Sequence, residues 1–72
     1  MTPLGEYLNR KSVTKAAIAR KTGLTVQRLN DLCLKTNARP MGFELYLIAL
    51  AIDADIVELF KTLYKDLHLK GV

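Results

Sequence analysis

Seventy-two residues, half of them apolar and a quarter charged, are one domain's worth of chain with enough apolar content for a packed core, which excludes a disordered segment. One cysteine, Cys33, and one histidine, His68, exclude an internal disulfide and leave too few ligands for a zinc site, so no cofactor or metal is expected. The net charge of +4 suits a polyanionic partner, although solvated helix faces account for it equally simply.

The longest apolar run, Leu45 to Ile52, is eight residues, well short of the roughly 18 that span a bilayer. No membrane contact is expected. The N-terminal stretch with Thr2, Pro3 and Glu6 lacks the basic-then-apolar pattern of a secretory signal, so the expected compartment is the cytoplasm. A chain of this size buries only about 60% of its unfolded surface, so a dimer interface would add needed stability.

In chain order the pattern predicts five helices and a single all-α domain over residues 1–72. Thr2 caps the first, Pro3 to about Lys11, with Leu4, Tyr7 and Leu8 on one face. Thr14 caps the second, Lys15 to Thr22, whose small residues allow a neighbour to approach closely. Gly23 ends it in the left-handed position, and Leu24 tucks beneath the turn. Thr25 caps the third, Val26 to Cys33, with Leu29 and Leu32 facing inward.

Leu34 to Pro40 reads as a loop. The fourth helix, about Met41 to Ala51, is apolar nearly all round (Phe43, Leu45, Tyr46, Leu47, Ile48, Leu50), the pattern of a helix buried on most sides. Asp53 or Asp55 caps the fifth, Ile56 to about His68, where Ile56, Phe60, Leu63 and Leu67 form a seam. That seam would close the monomer core, join a partner, or do both. Tyr7 and Tyr46 sit at core spacing, Tyr64 is ambiguous between packing and stacking, His68 suits a helix C-terminus, and Cys33 reads as a small buried apolar residue.

Charge is unevenly divided. Residues 1–40 hold eight basic side chains against two acids, a net of +6, whereas residues 41–72 hold three against five, a net of −2. The basic half contains Thr14 to Leu32, TKAAIARKTGLTVQRLNDL: a helix with small Ala19 mid-face, a glycine turn and a second capped helix. Such a unit is a helix-turn-helix, with Leu24, Leu29 and Leu32 fixing the second helix on the first and Thr25, Val26, Gln27, Arg28, Asn30 and Asp31 left outward.

With these pieces in this order, VTKAAIARKTGLT, RLNDL, Pro40 and LYLIALAID, the chain from Leu4 to about Val57 resembles the phage repressor and Cro family, also called the XRE family. The resemblance implies a five-helix lambda-repressor-like fold and a DNA-binding transcriptional regulator, in particular a repressor holding a palindromic operator as a homodimer. It implies that Lys15 touches phosphate or braces the recognition helix, and that Thr25, Val26, Gln27 and Asp31 face base edges in the major groove of double-stranded DNA. Gln27 suits a bidentate pair with adenine, Val26 a thymine methyl, Arg28 guanine or phosphate, and Arg39 the backbone.

Asp31 departs from the amide or basic residue common in the family, since a carboxylate repels phosphate and can only accept. The loop after the third helix also lacks the family's Glu-Arg-Gly ending. A protein-interaction module, such as an antitoxin or adaptor subunit using the seam of the last helix, is the alternative. No nucleophile beside a base, phosphate-cradling glycine loop or ligand cluster suggests an enzyme, and no room is left for a small-molecule effector domain.

Overall fold

Five helices, Pro3–Arg10 (α1), Lys15–Thr22 (α2), Val26–Leu34 (α3), Gly42–Ala51 (α4) and Ile56–Leu63 (α5), make up the regular structure of the computed structural model, which describes residues 1–71. The fold is all-α, with no strand among the described residues. Among the described residues no helix is long and apolar enough to cross a membrane.

Local chemistry explains most of the boundaries. Thr2, Thr14 and Thr25 each sit in extended backbone and accept, through the side-chain oxygen, from Gly5 N, Ala17 N and Arg28 N. These bonds satisfy donors that the first helical turn leaves unpaired. Of the two candidate acids before α5, Asp55 is the cap, accepting from Val57 N at 2.8 Å and Glu58 N at 3.3 Å. Asp53 instead adopts a left-handed conformation with φ 57°, just beyond α4, as Ser12 does with φ 56° after α1. Gly23 takes φ 82° and donates its N–H to Ala19 O at 2.9 Å, closing α2.

One core joins the helices. Leu4, Tyr7 and Leu8 of α1 meet Ile18 of α2, Leu29, Leu32 and Cys33 of α3, Leu45, Ile48 and Ala49 of α4, and Leu59 of α5. Burial of a large aliphatic side chain contributes about 1.5–3 kcal/mol. Helix α1 packs on α3 and α5, α2 packs on α3 and α4, and α4 packs on α5. Leu29, Ile48 and Leu59 stand where these contacts converge and are fully buried.

The end of α3 is tied to the start of α1. Thr2 Oγ1 donates to Leu32 O at 2.6 Å and Thr2 N to Cys33 O at 2.9 Å, so one residue caps α1 and satisfies two carbonyls that α3 leaves open. Gly5 lies against the same place, and a Cβ there would overlap the Cys33 carbonyl oxygen. Tyr7 links α1 to α5, its buried ring ending in a hydroxyl that donates to Glu58 Oε1 at 3.1 Å. Burial, and then the Glu58 carboxylate, push the Tyr7 phenol above its ordinary pKa.

Two expectations need correction. Helix α4 is not buried on most sides: Leu45, Ile48 and Ala49 face the core, whereas Phe43, Tyr46 and Leu50 are more than half exposed. Tyr46 is therefore not a core residue. A helix apolar all round carries no signal of which side faces inward, and only the neighbours α2 and α5 decide it. The last helix ends at Leu63, not near His68, and its core residue is Leu59. Within the expected seam, Ile56 and Leu63 are half-buried against the core, Phe60 is 39% exposed, and Leu67 is 72% exposed beyond the helix. Phe60 packs its ring edge-to-face on Tyr64 at 6.0 Å.

Candidate nucleic-acid interface

Helices α2 and α3 are separated by Gly23, Leu24 and Thr25 alone. The turn is locked from both sides. Thr22 Oγ1 donates to Ile18 O at 2.7 Å and accepts from Leu24 N at 3.1 Å, and Thr25 Oγ1 accepts from Arg28 N at 3.0 Å. Leu24 is half-buried against the core, and Leu29 and Leu32 fix the inner side of α3. A short helix held this firmly on one side presents its other side as a rigid surface.

That outer side carries Thr25, Val26 and Gln27, all exposed, with Asn30 and Asp31 partly exposed. Gln27 Nε2 donates to Asp31 Oδ1 at 3.1 Å, one turn apart, and Lys35 Nζ lies 3.3 Å from the same oxygen. The Asp31 charge is thus offset within α3 and its C-cap, which answers the objection that a bare carboxylate would repel phosphate. The Gln27 side-chain oxygen keeps its lone pairs for an outside donor.

Arg28 is placed differently from the expectation that it reaches outward. Its Nε donates to Glu44 Oε2 at 2.8 Å, and its Nη2 donates to Glu44 Oε1 at 2.9 Å and to Arg39 O at 3.1 Å. Only Nη1 is left for an outside acceptor. The fork of two parallel bonds holds the guanidinium charged more firmly, and the same bonds hold the Glu44 carboxyl below its ordinary pKa against the opposing effect of its burial. Glu44, counted above only among the acids of the second half, also accepts from Met41 N at 2.8 Å and so caps α4. A carboxylate at the third helical position is the sequence signal for such a cap. Its second role depends on a contact sixteen residues away, which no local pattern reveals.

Further basic residues lie on α2 and in the loop after α3. Lys15 is half-buried at the first turn of α2, close enough to Cys33 to oppose in part the rise that burial causes in the thiol pKa. Arg20, Lys21 and Arg39 are exposed, with Lys21 Nζ donating to Ala51 O at 3.3 Å. Among the described residues no group of three or more His, Cys, Asp or Glu side chains comes together as a metal site.

Comparison with protein-family models, with curated proteins and with solved structures finds no match. Chemically, the outer side of α3 offers an amide with a free acceptor oxygen, a β-branched apolar side chain and small polar groups. Base edges in a major groove are read by amides, hydroxyls and methyl contacts of this kind. Exposed Arg20 and Arg39 and half-buried Lys15 belong to the same half of the chain and carry the charge that phosphate contact requires.

Proposed function

We propose that this chain is a sequence-specific DNA-binding transcriptional regulator of the repressor and Cro kind, with α2, the Gly23 turn and α3 as its helix-turn-helix. The observation that carries the reading is the two-sidedness of α3: Leu29, Leu32 and Cys33 buried, and Thr25, Val26 and Gln27 exposed on a helix nine residues long. A helix of that length lying in a major groove brings its N-terminal residues to base edges. The protein acts as a homodimer on a palindromic operator, with half-sites about one helical turn, roughly 34 Å, apart.

Within this reading Gln27 and Val26 read bases, Asn30 and Thr25 flank them, and Asp31 orients Gln27. Lys15 and Arg39 hold phosphates, and Arg28 fixes the α3–α4 junction while offering Nη1 to the backbone. Selection of bound sequences from a random duplex pool at near-physiological salt tests it, with a Gln27→Ala, Arg39→Ala double variant as control. A two-fold-symmetric site lost in the control supports the proposal. No enrichment would favour a protein-interaction module instead.

A further inference from the structure

Helix α4 has two apolar faces. Leu45, Ile48 and Ala49 enter the core, and the opposite side carries Phe43, Tyr46, Leu47 and Leu50 at spacings of three, one and three, a stripe along one face. Phe43 is 59%, Tyr46 55% and Leu50 61% exposed, with Leu47 partly buried between them. No charge interrupts it. From Pro40 to Ile52 the one side chain charged at neutral pH is Glu44, which is buried and tied to Arg28. Helices α1, α2 and α5 carry ionised side chains on their exposed positions: Glu6 and Arg10 on α1, Arg20 and Lys21 on α2, Glu58 and Lys61 on α5.

We propose that the outer face of α4 is the homodimer interface, the same face of a second copy covering it about a two-fold axis near Tyr46. This deepens the dimer in the reading above and rests on that reading only for its consequence on DNA. Two arguments favour a copy of this chain as the occupant. The first is electrostatic: two chains of net charge +4 repel, so self-association needs a patch that is locally neutral, and the outer side of α4 carries no ionised group. A partner chosen for charge would instead leave a charge on this face to meet it.

The second argument is area. With about 200 Å² for a whole large side chain, the three exposures leave roughly 350 Å² of apolar surface on the stripe. The smallest specific interfaces bury about 600 Å² per partner, of which about 60% is apolar, a requirement of roughly 360 Å². The stripe falls just short of that figure on its own, so the dimer is a weak one in the absence of DNA. Tyr46, midway between Phe43 and Leu50, stacks at the centre with its hydroxyl at the wet rim. The α5 seam offers less, because Ile56 and Leu63 are already used by the monomer core and only Phe60 and Leu67 are left exposed.

Sedimentation equilibrium without DNA tests this, using wild type, Tyr46→Glu, Tyr46→Lys, an equimolar mixture of the two variants, and Leu67→Glu as a control on the other surface. Far-UV circular dichroism checks that each keeps its helices, as substitution at exposed positions should allow. Wild type and Leu67→Glu should associate to twice the 8.1 kDa monomer mass at sub-millimolar concentration. Each Tyr46 variant should associate at least about tenfold more weakly, because like charges then face each other across the axis, and the mixture should recover association. A wild type that stays monomeric, Tyr46 variants that dimerise as wild type does, or a mixture that fails to recover would overturn the proposal. Because DNA is absent, none of these outcomes bears on whether α3 binds it, and failure of the sequence selection would leave this interface standing.

Discussion

Arg28 and Glu44 face each other through two parallel hydrogen bonds of 2.8 and 2.9 Å, joining the middle of α3 to the first turn of α4. The third bond of the set, from Arg28 Nη2 to Arg39 O, draws the intervening loop into the same junction. A residue on the candidate recognition helix is thereby committed mainly to structure, and the position of α3 depends on the charge state of a buried carboxylate.

That dependence fixes a pH response. The Glu44 carboxyl is lowered from its ordinary value of 4.5, first by the Arg28 bonds, so it ionises more readily in the folded chain than in the unfolded one. Its contribution to stability is complete above pH 4.5 and is lost as the pH falls through the lower folded value. Thermal melting of wild type should therefore weaken on acidification below that point, and Glu44→Gln should show a smaller dependence over the same interval. An unchanged acid limb in Glu44→Gln would separate the pair from acid stability.

Gly5→Ala sets two effects against each other. In a helix interior alanine is favoured over glycine by about 1 kcal/mol, so propensity alone predicts stabilisation. The added methyl would meet the Cys33 carbonyl oxygen, which is held in place by Thr2 N. Overpacking of this kind costs typically about 1–3 kcal/mol, so urea unfolding should show a net loss. A gain would mean that α1 can move away from the end of α3 freely.

Gly23→Ala isolates backbone conformation. Nothing lies within 4 Å of a Cβ at this position, so space is not at issue, and the penalty comes from φ 82° alone. About 1–2 kcal/mol of stability should be lost, measured by chemical denaturation, with operator affinity falling further if the turn sets the angle of α3. Substitution by Asn, which tolerates this conformation better, should recover part of the loss.

Thr2→Val removes a hydroxyl that serves two helices while keeping shape. Gly5 N and Leu32 O both lose their partner in a buried place. A loss of about 1–3 kcal/mol is expected in urea unfolding, at or above the upper part of the usual range for an N-cap. A loss of a few tenths would show that solvent takes over both groups.

How much of this was legible in the sequence follows from the range of each interaction. The three threonine caps, Gly23 and the inward faces of α1 and α3 depend on residues within one turn of each other, and local pattern was sufficient for them. The exposed stripe of α4, the Arg28–Glu44 fork and the Thr2 bridge to α3 join residues 16 or 30 apart in sequence or depend on which neighbour covers a face. Leu59 was passed over for the opposite reason. Phe60, Leu63 and Leu67 continue a regular spacing from Ile56, but α5 ends at Leu63, and the core selects Leu59 instead.

Base reading by α3 is tested by titrating the selected duplex and a scrambled one with wild type, Gln27→Ala and Arg39→Ala across a range of salt concentrations. Tight binding to the selected duplex is expected, with affinity that falls steeply with salt. Gln27→Ala should lose about 1–3 kcal/mol of preference for the selected sequence, whereas Arg39→Ala should weaken both duplexes alike and lower the salt slope by about one. Equal affinity of wild type for the two duplexes, or the same change in both variants, would contradict it.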